Sequence, residues 1–355
     1  MVRMKFMRSI LFVFIPALLS GCGKDTHDDV PGGPQPIEFS AGSSVSVETK
    51  GLKPDDNTVL LSVGNNAAIF ASRKENDLWE SVISNRSLTC TSVTGTPPTS
   101  STWVYNPVAY WEETGQYVFT AIFPRSVTLD HGLTLDNSTY NISVNYSAGS
   151  PTDMMVARVS KTASANPSPV NLLFKHATSA VRFLFGKTTD DDYKLANFQL
   201  ENIAATGTFS IGARIISNDE LTISSSDWAN GSPQATLCSW TADNVEDRIA
   251  ISRPADSTNP DQYTAKGWYY MVPQNLISTA RVRFSVSYSG GTPVETVLSI
   301  YNVFDTYSQD YESSWEPNEV YNYFITLNQS GLDITVRTSS WDEVQVTTDD
   351  FQFSD

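Results

Sequence analysis

Histidine, cysteine and basic side chains are all scarce in this chain of 355 residues. It holds three histidines, three cysteines and 23 lysines and arginines against 39 acidic residues, for a formal net charge of −16. The histidines stand apart: His27 in a polar stretch near the start, His131 beside a glycine, and His176 at the head of an apolar run. No G-x-S-x-G, H-E-x-x-H, C-x-x-C or P-loop pattern is present. "GKTTDDDY" (186–193) offers Gly-Lys-Thr but lacks the earlier glycine that lets a loop cradle phosphate. Its Asp190, Asp191 and Asp192 read as a solvated turn or a loose calcium contact, without the spaced oxygens of a calcium loop. No catalytic residue, cofactor or metal ligand is therefore assigned, and the chain is not read as an enzyme. The shortage of positive charge excludes nucleic acid and anionic membrane surfaces as partners. Cys90 and Cys238 lie far apart in the sequence, and two buried thiols or one disulfide both remain open.

Helical apolar stripes of three turns are missing too. In their place are short alternating runs between turn residues. Tyr117, Phe119, Ala121 and Phe123 share a face, as do Val181, Phe183 and Phe185, and Tyr321, Tyr323, Ile325 and Leu327. Leu332, Ile334 and Val336 alternate in the same way. In "ARVRFSVSYSGG", Val282, Phe284, Val286 and Tyr288 point inward, with Arg281, Arg283, Ser285 and Ser287 outward. Hydrophobic content of 40% suffices for packed cores, and charged content of 17% is low. The pattern predicts an all-β chain built of β-sandwiches. "KTASANPSPV" (161–170) carries two prolines and suits neither strand nor helix, which places a domain boundary between residues 168 and 169. The eight tryptophans are scattered and read as core or strand-end residues rather than sugar platforms. Asn137, Asn141 and Asn145 begin N-x-S/T triplets, read as surface-loop composition.

The start is a targeting segment. Arg3, Lys5 and Arg8 precede the apolar run Ser9–Leu19, which is too short to span a bilayer. Leu19-Ser20-Gly21-Cys22 resembles the lipobox of bacterial lipoproteins, in which the cysteine becomes the lipidated first residue. The alternative is a plain secretory signal that contains a cysteine. On the first reading residues 1–21 are the signal peptide, Cys22 carries the anchor, and the Gly- and Pro-rich acidic stretch 22–36 is a tether. The acidic run also resembles the surface-export signal of some anaerobic Gram-negative lipoproteins.

A long alternating strand follows, residues 37–50, with Ile37, Phe39, Ala41, Val45 and Val47 on one face. It ends at Lys50-Gly51, a bond open to a trypsin-like protease. Lys53 is followed by Pro54; Arg73 and Lys74 offer the other nearby basic positions. The tail, residues 342–355, carries two apolar pairs. Val344 and Val346 share one face; Phe351 and Phe353 share another, offset by one residue, so that a kink near Asp349 would align them. It reads as a strand given to a neighbour or as a last strand paired within its own domain.

Several segments together resemble the fimbrillin family, the type V pilins and Mfa-like lipoproteins of oral and gut anaerobes. They are "YNPVAYWEETGQYVFTAIFP", "LLFKHATSAVRFLF", "YYMVPQNL" and "WEPNEVYNYFITLNQSGLDITVRTSSW", in that order and after the lipobox. Asn318 stands where the family usually has glycine. The resemblance implies two transthyretin-like β-sandwich domains in tandem, 37–168 and 169–355. It implies an outer-membrane, surface-exposed lipoprotein, cut after its first strand and assembled by donor-strand exchange into a pilus that supports adhesion. Implied partners are other pilin subunits, the outer membrane through the lipid, the processing protease, and host glycans or proteins. A tip or anchor subunit, or a monomeric glycan-binding lipoprotein, are the alternatives. Burial of Ile37, Phe39, Val45 and Val47 is worth about 1.5–3 kcal/mol each, so a vacated groove has to be refilled.

Overall fold

The computed structural model describes residues 34–42, 62–95, 100–128, 131–135, 140–149, 152–164, 167–212, 221–231, 234–257, 259–329 and 331–340. Val45, Val47, Lys50, Gly51, Cys22, Val344, Val346, Phe351 and Phe353 lie outside them, as do the signal segment and most of the tether. The described chain is all-β, with three short 3-10 turns and no α-helix.

The first ten strands are β1 (Phe39–Gly42), β2 (Asn66–Glu75), β3 (Leu78–Thr94), β4 (Ser100–Tyr105), β5 (Gln116–Phe123), β6 (His131–Leu135), β7 (Tyr140–Ser147), β8 (Met155–Thr162), β9 (Val170–Leu173) and β10 (Lys175–His176). Eight of them form one sheet in the order β10-β8-β5-β2-β3-β4-β1-β9. Asn76 and Asp77, both at positive φ, make the two-residue turn between β2 and β3. β9, at one end of the sheet, lies against β8, next to the other end. The sheet therefore curls, and its inner face closes over a core that includes Phe39, Ile69, Trp103, Trp111, Phe119 and Leu172. The outer face of β2, β5 and β8 is also apolar, through Phe70, Val118, Ile122 and Val156. These strands are therefore buried almost continuously, on both faces, rather than on the one face their alternation suggested.

The following strands are β11 (Ser179–Lys187), β12 (Tyr193–Ala204), β13 (Thr206–Gly212), β14 (Trp228–Asn230), β15 (Gln234–Thr241), β16 (Arg281–Tyr288), β17 (Val294–Ser299), β18 (Glu319–Asn328) and β19 (Gly331–Ser340), with shorter pairings between them. A four-stranded sheet, β14-β13-β7-β6, covers the outer face of the curled sheet. Gly207 lets β13 lie close to Val272, where a Cβ would fall 2.5 Å from Val272 Cγ1. The remaining strands form a true sandwich. One sheet holds β11, β18 and β19, the other β15-β12-β16-β17, and Phe183, Phe185, Phe198, Phe284, Trp315 and Tyr323 fill the space between.

The sheet pairing runs across the boundary expected at residues 168 and 169. β9 pairs in parallel with β1, β10 pairs with β8, and β13 pairs with β7. Prolines in 161–170 do break the strand pattern, but the chain resumes in the same sheet. Two outward assignments in β16 also change. Ser285 and Ser287 are buried, with the Asn197 amide donating to Ser285 Oγ at 2.8 Å, while Tyr288 is 56% exposed at the strand end. Cys90 and Cys238 are both free thiols, so the disulfide reading is set aside. Burial pushes the Cys238 thiol up to about 12. Trp103, Trp111, Trp228 and Trp315 are buried, as the core reading required. Asp190 forms an exposed ion pair with Arg253 at 2.5 Å, and His176 Nδ1 meets the Asp153 carboxylate at 2.7 Å. Among the described residues no three metal-ligating side chains gather.

Candidate functional site at the first strand

β1 is an interior strand, although it is the first of the described chain. Phe39, Ser40 and Ala41 stand opposite Trp103, Thr102 and Ser101 of β4 in antiparallel register. On the other side Phe39, Ser40, Ala41 and Gly42 run parallel to Val170, Asn171, Leu172 and Leu173 of β9. The backbone continues the pairing upstream, with Ile37 N–H donating to Ala109 O and Trp111 N–H to Gln35 O, both at 2.9 Å. β1 thus occupies a slot with two hydrogen-bonding walls and an apolar floor.

The inward side chains match the expected alternation. Ile37, Phe39 and Ala41 are essentially inaccessible, and Glu38 between them is exposed. The Phe39 ring meets Tyr105 edge-on at 5.3 Å and Phe119 at 5.7 Å between centroids. Such aromatic pairs add about 0.5–1.5 kcal/mol beyond the area they bury. Trp111 and Tyr117 continue the aromatic floor, at 4.7 Å from each other.

Two buried hydroxyls add a second hold that the sequence pattern did not reveal. Ser101 Oγ donates to Ala41 O at 3.1 Å while accepting from Trp103 Nε1 at 2.6 Å. Tyr105 Oη donates to Ile37 O at 3.1 Å and accepts from Ala109 N–H at 3.0 Å. Burial raises the Tyr105 phenol above its ordinary range, so the group stays a donor. Alternation in "STWVY" marks Ser101, Trp103 and Tyr105 as inward-facing, but it carries no hint that the carbonyls of Ala41 and Ile37, 60 and 68 residues away, take the hydroxyls of Ser101 and Tyr105. Tyr105→Phe should leave Ile37 O and Ala109 N–H short of a partner. The expected loss is about 1–3 kcal/mol, read as a lower denaturant midpoint with an unchanged slope.

The folded chain closes the cleavage positions at Arg73 and Lys74, while Lys53 lies outside the described residues. Arg73 and Lys74 lie within β2, which is paired on one side by β3 and on the other by β5. The Arg73 guanidinium is held by Glu80 at 2.7 Å and by Glu75. A protease needs an extended, unpaired segment, and this one is engaged on both edges.

A family profile described as Fimbrillin-like matches residues 55–341. The chain belongs to the fimbrillin-like family. Its motif order and its sheets agree with that membership over the same span. Solved structures with the same fold include a putative cell adhesion protein from Bacteroides uniformis ATCC 8492. It has 13% identity and a TM-score of 0.53, over 86% of this chain and 99% of that one. A fimbrial protein from Bacteroides vulgatus ATCC 8482 matches at 13% identity and a TM-score of 0.50, over 86% and 99%. A putative cell adhesion protein from Bacteroides ovatus ATCC 8483 matches at 13% and 0.51, over 87% and 98%. No curated protein matches the sequence. Membership makes this fimbrillin-like protein a pilus-type structural subunit of a cell-surface appendage, one that assembles with other pilin subunits.

Proposed function

We propose that this fimbrillin-like subunit is exported as a lipoprotein anchored through Cys22, cut at Lys50-Gly51, and polymerised by donor-strand exchange. The observation that carries the reading is the position of β1, flanked on both sides and buried on its inner face. An edge strand would leave a smooth edge when removed. β1 would leave a slot between β4 and β9, with Phe119 and Tyr105 exposed to water on its floor. Burial of Ile37 and Phe39 alone is worth about 3–6 kcal/mol, a large part of the 5–15 kcal/mol that stabilises a typical domain. Such a slot has to take a strand from elsewhere, and the tail 342–355 of a neighbouring subunit offers two apolar pairs. We count the chain as two β-units in tandem that share the four-stranded sheet. The role is structural rather than catalytic, it places the processed subunit in a pilus outside the outer membrane, and it supports adhesion to host glycans or proteins.

Mass spectrometry of the assembled form tests the reading: the mature subunit should begin at Gly51. A fibre whose subunits begin at Cys22 would refute the cut. The anchor is tested separately. Cys22→Ala should abolish acyl labelling of the precursor and release it from membranes, whereas unchanged labelling would rule the lipobox out.

A further inference from the structure

The slot that holds β1 does more than offer an apolar floor: it is graded in size. Ile37 and Phe39 fill two large sites, and the third site, two residues further along the same face, holds only Ala41, fully buried between Ser101 and Leu172. The two hydroxyl donors hold main-chain carbonyls, which any sequence supplies. Register therefore rests on the side chains alone. A one-residue slip turns the apolar set outward, and a two-residue slip drives a large side chain into the alanine site.

The tail, like the strand it would replace, carries two apolar pairs, but here the second pair is offset by one residue. Residues 37–47 run as an apolar pair (Ile37, Phe39), a small polar stretch and a second pair (Val45, Val47). Residues 344–353 run as Val344 and Val346, then Thr347 to Asp350, then Phe351 and Phe353. Either pair can be laid into the two large sites, in either chain direction, and the third site separates the choices. Laid in the direction of β1, the Phe pair brings Asp355 to the alanine site; reversed, it brings Asp349. The Val pair reversed brings Asp342. Each of these puts a carboxylate into the apolar core that encloses Ala41, at a cost of several kcal/mol. Only the Val pair laid in the direction of β1 brings a small neutral residue, Thr348.

Resting on the donor-strand reading above, we infer that the tail of a second copy enters parallel to β9, with Val344 in the Ile37 site, Val346 in the Phe39 site and Thr348 in the Ala41 site. The fit is incomplete by design of the residues. Valine underfills a site lined by Tyr105 and Phe119, and threonine slightly overfills one shaped for alanine. The native strand therefore holds the slot more completely than its replacement, which keeps the uncut precursor from exchanging.

Cross-linking of processed, assembled protein tests the register. Thr102 is exposed and stands opposite Ser40. In the inferred placement Thr347 takes the place of Ser40, so Thr102→Cys with Thr347→Cys should give an intersubunit disulfide on a non-reducing gel. Cross-linking of Thr102→Cys to Glu343→Cys, Asp350→Cys or Ser354→Cys instead would overturn the inference, since those residues take that place in the other three arrangements. A second measurement does not depend on cysteines. Val346→Phe and Thr348→Ala should each raise the temperature at which multimers dissociate, and Thr348→Asp should abolish multimers. Unchanged dissociation temperatures in all three would overturn the inference as well. Fibres whose subunits retain residues 37–50 would instead defeat the donor-strand reading itself.

Discussion

Lys50→Ala is expected to yield a folded, heat-stable monomer that does not polymerise. The uncut chain keeps β1 between β4 and β9, where its backbone pairs on both sides and Ser101 and Tyr105 hold its carbonyls. A tail from another molecule would have to displace a strand that is tethered to the slot, and tethering gives β1 an effective concentration in the millimolar range. Wild-type protein should show a ladder of multimers on a gel without heating, and the variant a single band. The complementary change is deletion of residues 344–355. That subunit should be cut and should accept a strand but have none to give. Mixed with wild type it should shorten the fibres in proportion to its share. If Lys50→Ala protein still forms fibres with Ile37 to Lys50 retained, exchange at this slot is wrong, and β1 is an ordinary member of a stable sheet.

The second large effect is on stability and belongs to the same strand. Phe39→Ala in the uncut Lys50→Ala background should cost about 3–5 kcal/mol, the usual range for emptying a buried phenylalanine site. The loss includes the edge-on contacts with Tyr105 and Phe119, neither of which can move far in a sheet paired on both sides. Glu38→Ala, one residue away on the exposed face, should shift stability by no more than about 0.5 kcal/mol. Denaturant midpoints of the two variants settle the contrast. Fibres made from Phe39→Ala protein with Lys50 retained provide a control: residue 39 is absent from them after the cut, so their dissociation temperature should ignore the substitution. A loss below about 1 kcal/mol in the uncut protein would show that the slot relaxes around a smaller residue and does not need its strand.

Much of this was legible one strand at a time. Period-two alternation placed Ile37, Phe39 and Ala41 on a buried face; in Tyr117 to Phe123 and Val181 to Phe185 the chosen face is buried too, but so is the opposite one. Alternation works because each side chain reports only which side of its own strand is dry. It failed where a side chain's surroundings come from elsewhere. Ser287 is buried because it lies over β12, with its hydroxyl directed at Lys194 O, and Tyr288 is exposed because its strand ends there. Arg73 looked open to a protease because the pairing of β2 with β5 joins residues more than forty positions apart, Arg73 opposite Tyr117.

The sequence by itself determined that the chain is all-β, and it placed Ile37, Phe39 and Ala41 on one face near the start. It also carried the family, because the motifs that mark the fimbrillin-like fold are local. Only the tertiary structure decided that β1 lies between β4 and β9 rather than at an edge, and that the chain crosses residue 168 without leaving its sheet. Strand order follows from which pairings bury the most surface across the whole molecule, and those pairings join residues 39 and 170 as readily as neighbours. The graded floor of the slot follows for the same reason: Ala41 is small because of what Ser101 and Leu172 leave room for, and neither is close to it in the sequence.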